Sequence, residues 1–170
     1  QEAIGKYVAD MIPDGATLQI GYGGIPDAVV MQLTDKRDLG IHTEMVGDGI
    51  MSLVEAGVVT NRKKNYHHGK MLATFALGSK KLYQFMHRNP ALEMHPVDFT
   101  NDPYLAGQND NLHAINATMQ IDFIGQCGSE SLGVIPYSGT GGQSDFVRAA
   151  NRSKGGKDFI VLPSTAKDDT

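Results

Sequence analysis

Residues 40–49 read Gly-Ile-His-Thr-Glu-Met-Val-Gly-Asp-Gly, and this stretch predicts a strand, then a turn, then a helix. Its β-branched residues alternate with polar ones as far as Glu44, which is typical of a strand end. Gly47 and Gly49 permit a tight turn, and the apolar residues within 50–54 then have helical spacing. A carboxylate at such a junction can face the crevice in which α/β sheets bind ligands. On position alone, Glu44 is either a functional group or a solvated surface glutamate.

Length and composition indicate one globular domain. The chain has 170 residues, of which 41% are hydrophobic, so it can bury a core and is not of the disordered class. Glycine is unusually frequent: 20 of 170 residues is about 12%, against a typical usage of roughly 7%. The excess clusters at 21–24, 139–142 and 155–156. This clustering predicts that the backbone approaches a ligand at several turns.

Charge and cysteine content exclude several classes of protein. The formal net charge of −4 argues against a general nucleic-acid binder. Cys127 is the only cysteine, so no intramolecular disulfide can form, and we expect a reducing cytoplasm. No apolar run has the length of a membrane span, and no signal-peptide pattern is present. Because residue 1 is Gln1 and a helical pattern begins almost at once, we expect a fragment of a longer polypeptide.

Strand and helix patterns alternate along the chain. Helices are predicted near 3–12, 26–34, 48–56, 79–86 and after 142, and strands at 17–20, 58–60, 71–77, 92–97, 112–119, 120–126 and 159–162. Residues 61–70 are predicted to form a solvated loop, and residues 98–111 the longest loop. We therefore predict an α/β fold with a mixed, mainly parallel sheet and helices on both faces. The strands within 112–135 have no helix between them, which is the reason for expecting a mixed sheet.

Two glycine loops, at 21–24 and 139–142, each precede a helix pattern. A strand, a glycine loop and a helix in this order present backbone N–H groups to an anion or a developing oxyanion. Residues 21–26 do not form a Walker A loop, since no Gly-Lys-Ser/Thr follows, and they lack the third glycine of a dinucleotide fingerprint. A turn that only reverses the chain is an equally good interpretation of this loop.

Two glycine loops and a glutamate at a strand end indicate acyl transfer, in which a nucleophile attacks a carbonyl group and N–H groups hold the oxyanion. Serine catalysis fits poorly because no Gly-x-Ser-x-Gly elbow is present. A carboxylate becomes an effective nucleophile against a thioester once the site excludes water. Glu130 is a rival nucleophile, but a glutamate in a turn is more simply interpreted as solvated. Cys127 is more simply interpreted as a buried structural cysteine than as a thiolate nucleophile.

Adjacent histidines at His67 and His68 suggest a metal site only weakly. Neighbouring side chains on a strand point in different directions, and no third ligand has a useful spacing. We therefore expect a solvated loop here and no metal.

Four segments taken together resemble one known family. Residues 19–26, 40–45, 115–117 and 139–146 are similar to the acetyl-CoA hydrolase/transferase family, and most similar to its 4-hydroxybutyrate and butyrate:acetate CoA-transferase branch. The similarity runs from Gly5 to Ser164 and corresponds to the C-terminal catalytic half of those enzymes. The resemblance implies that residues 1–170 are this C-terminal catalytic domain and that an N-terminal half of the same polypeptide is missing.

The resemblance also implies residue roles. Glu44 matches the nucleophile, which attacks acyl-CoA and then forms a glutamyl-CoA thioester. Asn101 matches the oxyanion-stabilising asparagine, with Asn89 as the weaker candidate, and Gly142 supplies a partner N–H group. Binding of substrate or CoA is implied for the other loop residues, namely Gly21, Gly23, Gly24, Ile25, Gly139, Gly141 and Gln143. No metal and no permanently bound cofactor are implied, since coenzyme A and acyl-CoA are substrates.

Charged residues around the second glycine loop have simpler interpretations. Asp145, at the start of a predicted helix, is interpreted as a capping or helix-dipole residue. Arg148, Lys154 and Lys157 could meet the phosphates of CoA, although solvated surface charge is the default.

The predicted function is exchange of CoA between a short-chain acyl-CoA (4-hydroxybutyryl, butyryl or acetyl) and a carboxylate. An acyl-CoA hydrolase shares every motif but needs no carboxylate acceptor. A non-catalytic CoA-binding half predicts that Glu44→Ala leaves activity intact, and a phosphosugar isomerase of related sheet architecture predicts turnover without CoA. We expect a cytoplasmic homo-oligomer that binds neither nucleic acid nor a membrane.

Overall fold

The computed structural model describes residues 1–165. Its helices are α1 (Glu2–Asp10), α2 (Gly24–Met31), α3 (Asp48–Glu55), α4 (Lys80–Met86), α5 (Val97–Thr100), α6 (Pro103–Ala106) and α7 (Gln143–Arg152). Its strands are β1 (Thr17–Ile20), β2 (Gly40–Ile41), β3 (Met45–Val46), β4 (Met71–Ala73), β5 (Phe75–Ala76), β6 (Leu92–Met94), β7 (Leu112–Ala117), β8 (Gln120–Ile121), β9 (Cys127–Gly128), β10 (Ser131–Leu132), β11 (Ile135–Pro136) and β12 (Lys157–Val161). Within these residues, none of the helices is both long enough and apolar enough to cross a bilayer.

Parallel strands dominate the sheet. Four strands lie in the order β12-β7-β1-β2, and every neighbouring pair is parallel. A parallel bridge from His42 to Leu72 continues this arrangement towards β4, which pairs in parallel with β6. Antiparallel pairing in the described residues is confined to two small ribbons, β8–β9 and β10–β11. Because parallel strands run the same way, their carboxyl ends lie at one edge of the sheet.

Strand β7 separates two layers of apolar packing. Leu112 and Ala114 pack with residues of α6 and α7, including the fully buried Phe146. Ile115 belongs instead to the larger core that also contains Leu18 of β1 and residues of α1, α2 and α3. Successive side chains of a strand point to opposite faces, so this alternation places helices on both faces of the sheet. The prediction of an α/β fold with a mainly parallel sheet is confirmed.

Two segments have a different secondary structure from the one predicted. Residues 71–77 form two short strands rather than one buried strand: β4 pairs with β6, whereas β5 pairs with β3. The chain changes partner at Thr74, and Phe75 is 44% exposed. Residues 98–111 are not one long loop, since they contain most of α5 and all of α6. Asp102 caps α6 by accepting hydrogen bonds from the backbone N–H groups of Tyr104 and Leu105.

Two further predicted strands are shorter than expected. Residues 58–60 contribute only an isolated bridge between Leu39 and Val59. Residues 120–126 contribute only the two residues of β8, followed by an exposed loop.

The loop of residues 61–70 is only partly solvated, because it contains a buried lysine. Lys64 is 2% exposed, and its Nζ donates to the carbonyl oxygens of Ile41, at 2.9 Å, and Lys70, at 2.6 Å. Burial lowers the pKa of Lys64 to about 7. A neutral amine has two N–H donors, which match these two acceptors. Asn61 accepts the N–H of Ile41 at 2.9 Å, so this loop holds both backbone groups of the last β2 residue.

The pKa of Lys64 makes stability depend on pH. The unfolded chain keeps the proton of Lys64 up to about pH 10.4, whereas the folded chain loses it near pH 7, so the unfolding free energy rises with pH between these values. Relative to a Lys64→Met variant, we expect the natural chain to gain up to about 1.4 kcal/mol per pH unit across this window. Urea unfolding at pH 7, 8 and 9 measures the difference between the two proteins. A difference that does not change with pH would contradict the buried lysine.

Candidate active site

An open cleft of about 240 Å³ lies at the carboxyl ends of β1 and β7. Its walls come from the strand ends, from the segment after β2 and from the second glycine loop. The lining residues are Gln19, Ile20, Gly21, Tyr22, Glu44, Met45, Phe75, Asn116, Ala117, Ser129, Glu130, Ser138, Gly139, Gly141, Gly142, Gln143 and Phe146. This is the position at which open α/β sheets bind ligands.

Glu44 lies in the cleft wall between β2 and β3, and its backbone is firmly held. Its carbonyl oxygen accepts hydrogen bonds from the N–H groups of Thr74, at 2.9 Å, and Phe75, at 3.1 Å. The preceding residue, Thr43, is buried and hydrogen-bonds through its hydroxyl to the backbone of Ile20 at 3.2 Å. The half-buried carboxylate of Glu44 therefore projects into the cleft from a fixed backbone.

Asn101 and Gly142 meet at this carboxylate. The Nδ2 of Asn101 donates a hydrogen bond to Oε2 of Glu44, and Asn101 is 6% exposed at the C-terminal end of α5. Gly142 is the N-cap of α7, and a Cβ added there would overlap the Glu44 carboxylate and lie 2.5 Å from Nδ2 of Asn101. The three residues predicted to be catalytic are thus in contact, although Asn101 does not itself line the cleft, and a side chain at position 142 would have to displace the Glu44 carboxylate and the Asn101 amide.

The N-terminus of α7 supplies positive potential to the same wall. This helix has ten residues and no side-chain cap, and Gly139, Gly141 and Gln143 line the cleft around its start. Uncapped N–H groups and the helix dipole favour an anion at this position. Asp145 in the first turn fits the predicted helix-dipole role.

His42 stands two residues before Glu44 and hydrogen-bonds to the residue that precedes Asn101. Its Nε2 lies 2.8 Å from the carbonyl oxygen of Thr100 and its Nδ1 lies 3.1 Å from Nδ2 of Asn109, so Nε2 donates and Nδ1 accepts. Burial lowers the pKa of His42 to about 4, against the opposing effect of the bond to Thr100. The neutral ring therefore holds the residue before Asn101. Sequence reasoning missed this role, although His42 stands two residues before Glu44 in the motif.

Gln19 and Asn116 form a polar floor that sequence reasoning also missed. Their side-chain amides exchange two hydrogen bonds, of 3.1 and 2.9 Å, across β1 and β7. Gly21 lies directly against them, since a Cβ there would approach Oδ1 of Asn116 to 2.8 Å. The signal available in the sequence was a polar residue placed near the end of each of two apolar strands.

Some predicted binding residues are not brought to the cleft. Gly23, Gly24 and Ile25 lie at the start of α2, outside the lining, because the chain already turns into the helix there. Ile25 is buried, with 7% of its surface exposed. Asn89, the weaker asparagine candidate, accepts the backbone N–H of Ala91 in a turn and does not line the cleft.

The two rival nucleophiles are placed differently from expectation. Cys127 is exposed on β9 rather than buried, and it does not line the cleft. Glu130 is half-buried and lines the cleft, so it is not simply a solvated turn residue. Arg148, Lys154 and Lys157 are exposed and lie outside the cleft lining.

The expectation that His67 has no third ligand nearby was wrong. Glu93 and His95 lie beside His67, with their ligand-type atoms all within 4.8 Å of one another. Both residues are distant in sequence, so their spacing gave no signal.

Comparison with known proteins gives a consistent result. Residues 78–170 match the sequence profile of the acetyl-CoA hydrolase/transferase C-terminal domain. The chain belongs to the acetyl-CoA hydrolase/transferase family. It is 55% identical over 170 residues to succinyl-CoA:cyclohexane-1-carboxylate CoA transferase of Geobacter metallireducens, covering 100% of this chain and 39% of that protein. It is 53% identical over 166 residues to 4-hydroxybutyrate coenzyme A transferase of Clostridium kluyveri, covering 98% of this chain and 39% of that protein.

Solved structures place this member of the acetyl-CoA hydrolase/transferase family in the same fold. RipA from Yersinia pestis superimposes with a TM-score of 0.94 at 47% identity, covering 99% of this chain and 38% of that one. A 4-hydroxybutyrate CoA-transferase from Porphyromonas gingivalis gives a TM-score of 0.89 at 43% identity, covering 99% of this chain and 40% of that one. The chain therefore spans about two fifths of the length of the relatives it matches.

We expect His42→Leu to destabilise the chain by about 2–4 kcal/mol, because it leaves the carbonyl of Thr100 and the amide of Asn109 buried without their partner. Urea unfolding at pH 7.5 measures this change. His68→Leu is the matched control, since His68 is exposed, and its effect should stay within about 0.5 kcal/mol. Equal effects of the two substitutions would show that the His42 bonds do not stabilise the fold.

Proposed function

We propose that this chain is the C-terminal catalytic half of a CoA-transferase, which moves CoA between a short-chain acyl-CoA and a carboxylate. The observation that carries the proposal is the contact of Asn101 and Gly142 with the carboxylate of Glu44, which lines the cleft. A carboxylate beside an amide donor and a helix N-terminus can act as a nucleophile while the donors stabilise an oxyanion. The CoA-transferase names of two relatives support the same reaction.

In the first half-reaction, a carboxylate oxygen of Glu44 attacks the thioester carbonyl of acyl-CoA. The C–S bond breaks, CoA leaves as a thiolate, and an acyl-glutamyl anhydride remains. The thiolate then attacks the γ-carbonyl of Glu44 and releases the original acyl group as its carboxylate. The product on the protein is a glutamyl-CoA thioester, so the energy of the thioester bond is kept.

In the second half-reaction, the incoming carboxylate attacks the glutamyl-CoA carbonyl and releases the CoA thiolate. The thiolate then attacks the new acyl group, which leaves as acyl-CoA and restores the Glu44 carboxylate. Each attack places negative charge on a carbonyl oxygen beside the wall formed by Asn101 and the start of α7. Donors held in place before the reaction stabilise that charge without reorganising.

A hydrolase is the second candidate, because Glu130 places a second carboxylate in the same cleft. A carboxylate in that position could accept a proton from water as it attacks the thioester or anhydride. The two functions differ in acceptor dependence: the transferase requires an added carboxylate, whereas the hydrolase does not.

The rest of the polypeptide is proposed to cover the ribbon region of this chain. Phe123, Ile124 and Val134 are fully or almost fully exposed, with 111%, 83% and 97% relative accessibility. Large apolar side chains exposed together are typical of a contact surface. Because the relatives are more than twice as long, an N-terminal half of the same polypeptide is the simplest partner. We also propose a cytoplasmic homo-oligomer, with the exposed thiol of Cys127 consistent with a reducing compartment.

The nucleophile is tested by trapping in the full-length polypeptide. After incubation with butyryl-CoA, borohydride reduces an enzyme-bound thioester to an alcohol, and peptide mass spectrometry locates the reduced residue. We expect the reduced residue to be Glu44, and we expect no reduced residue in Glu44→Gln. Glu2→Gln, at the exposed start of α1, is the control and should still give the reduced Glu44.

Three results would count against the proposal. Turnover with the reduced side chain at Glu130 would remove Glu44 as the nucleophile, as would a butyryl group found on Cys127 in a sample that is not treated with borohydride. Turnover that is independent of added acetate and leaves no reduced residue would favour the hydrolase.

Gly142→Ala tests, through the reaction rate, whether Gly142 packs closely against Glu44 and Asn101. The new methyl group would push the Glu44 carboxylate and the Asn101 amide apart, so we expect kcat for butyryl-CoA and acetate to fall roughly 100-fold. Gly47→Ala is the matched control, since Gly47 is also a helix N-cap and its added Cβ would be 3.7 Å from the closest atom. This control should stay within a few-fold of the natural rate. A natural rate in Gly142→Ala would contradict the close approach.

A further inference from the structure

A second cluster of functional side chains lies outside the cleft. His67 comes from the loop of residues 61–70, and Glu93 and His95 come from β6 and the position just after it. Residues two apart on a strand share a face, so Glu93 and His95 point the same way. Within residues 1–165, these three form a group whose ligand-type atoms all lie within 4.8 Å of one another. None of the three lines the cleft.

The distances within the cluster are close to those of a metal site. Oε2 of Glu93 lies 2.7 Å from Nδ1 of His67 and 3.2 Å from Nε2 of His95. Ligand atoms of a tetrahedral Zn²⁺ ion at bond lengths near 2.0–2.1 Å are about 3.3 Å apart. A slight opening of the cluster would therefore admit the ion. The donor set of two imidazoles and one carboxylate is one that zinc uses.

Neighbouring groups fix the two imidazole rings. His67 has a φ of +48°, a left-handed conformation that is uncommon for a residue other than glycine. The ring of Tyr66 packs edge-to-face on His67 at 4.6 Å, and the ring of Phe99 stacks on His95 at 4.5 Å. The backbone N–H of His95 donates to Ala73 at 2.9 Å. The ligand-type atoms are thus held together by contacts outside the cluster.

We propose that His67, Glu93 and His95 bind a divalent transition-metal ion, Zn²⁺ by the nature of the donors. The carboxylate supplies one negative charge, and each imidazole supplies a lone pair from the nitrogen that faces Glu93. The three side chains are between 26% and 32% exposed, so water can reach a fourth coordination position. Phe99 lies in α5, and Asn101 is the residue that directly follows this helix, so a bound ion would brace the segment that carries the amide donor to Glu44.

Zinc binding is tested by calorimetry on the chelator-treated full-length polypeptide with Zn²⁺ alone, and by the visible absorption of added Co²⁺. We expect one ion per chain, a cobalt spectrum typical of tetrahedral coordination, and a rise in Tm on addition of Zn²⁺. His95→Ala and Glu93→Gln should each weaken zinc binding by more than about 100-fold, since removal of a supporting group alone costs 10–100-fold. His68→Ala is the control, because His68 is exposed and outside the group, and should keep the affinity.

The outcomes separate a metal site from a hydrogen-bonded triad. No saturable zinc binding, or an affinity unchanged in both His95→Ala and Glu93→Gln, would overturn the proposal and leave Glu93 as an acceptor for two histidines. Loss of binding in His68→Ala alone would place the ion elsewhere and also overturn it. Glu93→Gln keeps the size of the side chain, so it decides the question if His95→Ala does not fold, as judged by circular dichroism.

Discussion

The hydrogen bond from the Asn101 amide to the Glu44 carboxylate is the contact on which the proposed site depends. It joins two residues separated by 57 positions in the sequence. Neither residue is positioned by its own side chain alone. The backbone of Glu44 is held by the N–H groups of Thr74 and Phe75, and the carbonyl before Asn101 is held by His42. Because the backbone is fixed at both ends, the carboxylate and its donor meet without the entropy loss of ordering two mobile backbone segments.

The parallel sheet explains why these groups share one edge. Loops that follow parallel strands emerge on the same side, so the segments after β1, β2 and β7 converge there. Convergence leaves little room, and glycine appears where a side chain would collide. Gly21 lies against Asn116, and Gly142 lies against Glu44 and Asn101. The high glycine content thus follows in part from the close approach of backbone to functional side chains.

The loop of residues 61–70 supports the site from behind. Lys64 and Asn61 bind the two backbone groups of Ile41, three residues before Glu44. His67 contacts Glu93 of β6, the strand that precedes α5 and Asn101. A segment whose composition suggests solvent is therefore part of the packing that orients both sides of the Glu44–Asn101 contact.

The sequence by itself determined the α/β class, the two glycine loops and Glu44 as the candidate nucleophile, because these follow from local periodicity and motif. It also indicated Asn101 and Gly142, but only through resemblance. The tertiary structure decided what depends on contacts between distant residues: the burial of Lys64, the exposure of Cys127, the polar floor of Gln19 and Asn116, the tie from His42 to Thr100 and the grouping of His67 with Glu93 and His95. Spacing along a chain cannot reveal such contacts, since burial and hydrogen-bond partners are set by which strands pair and which faces pack.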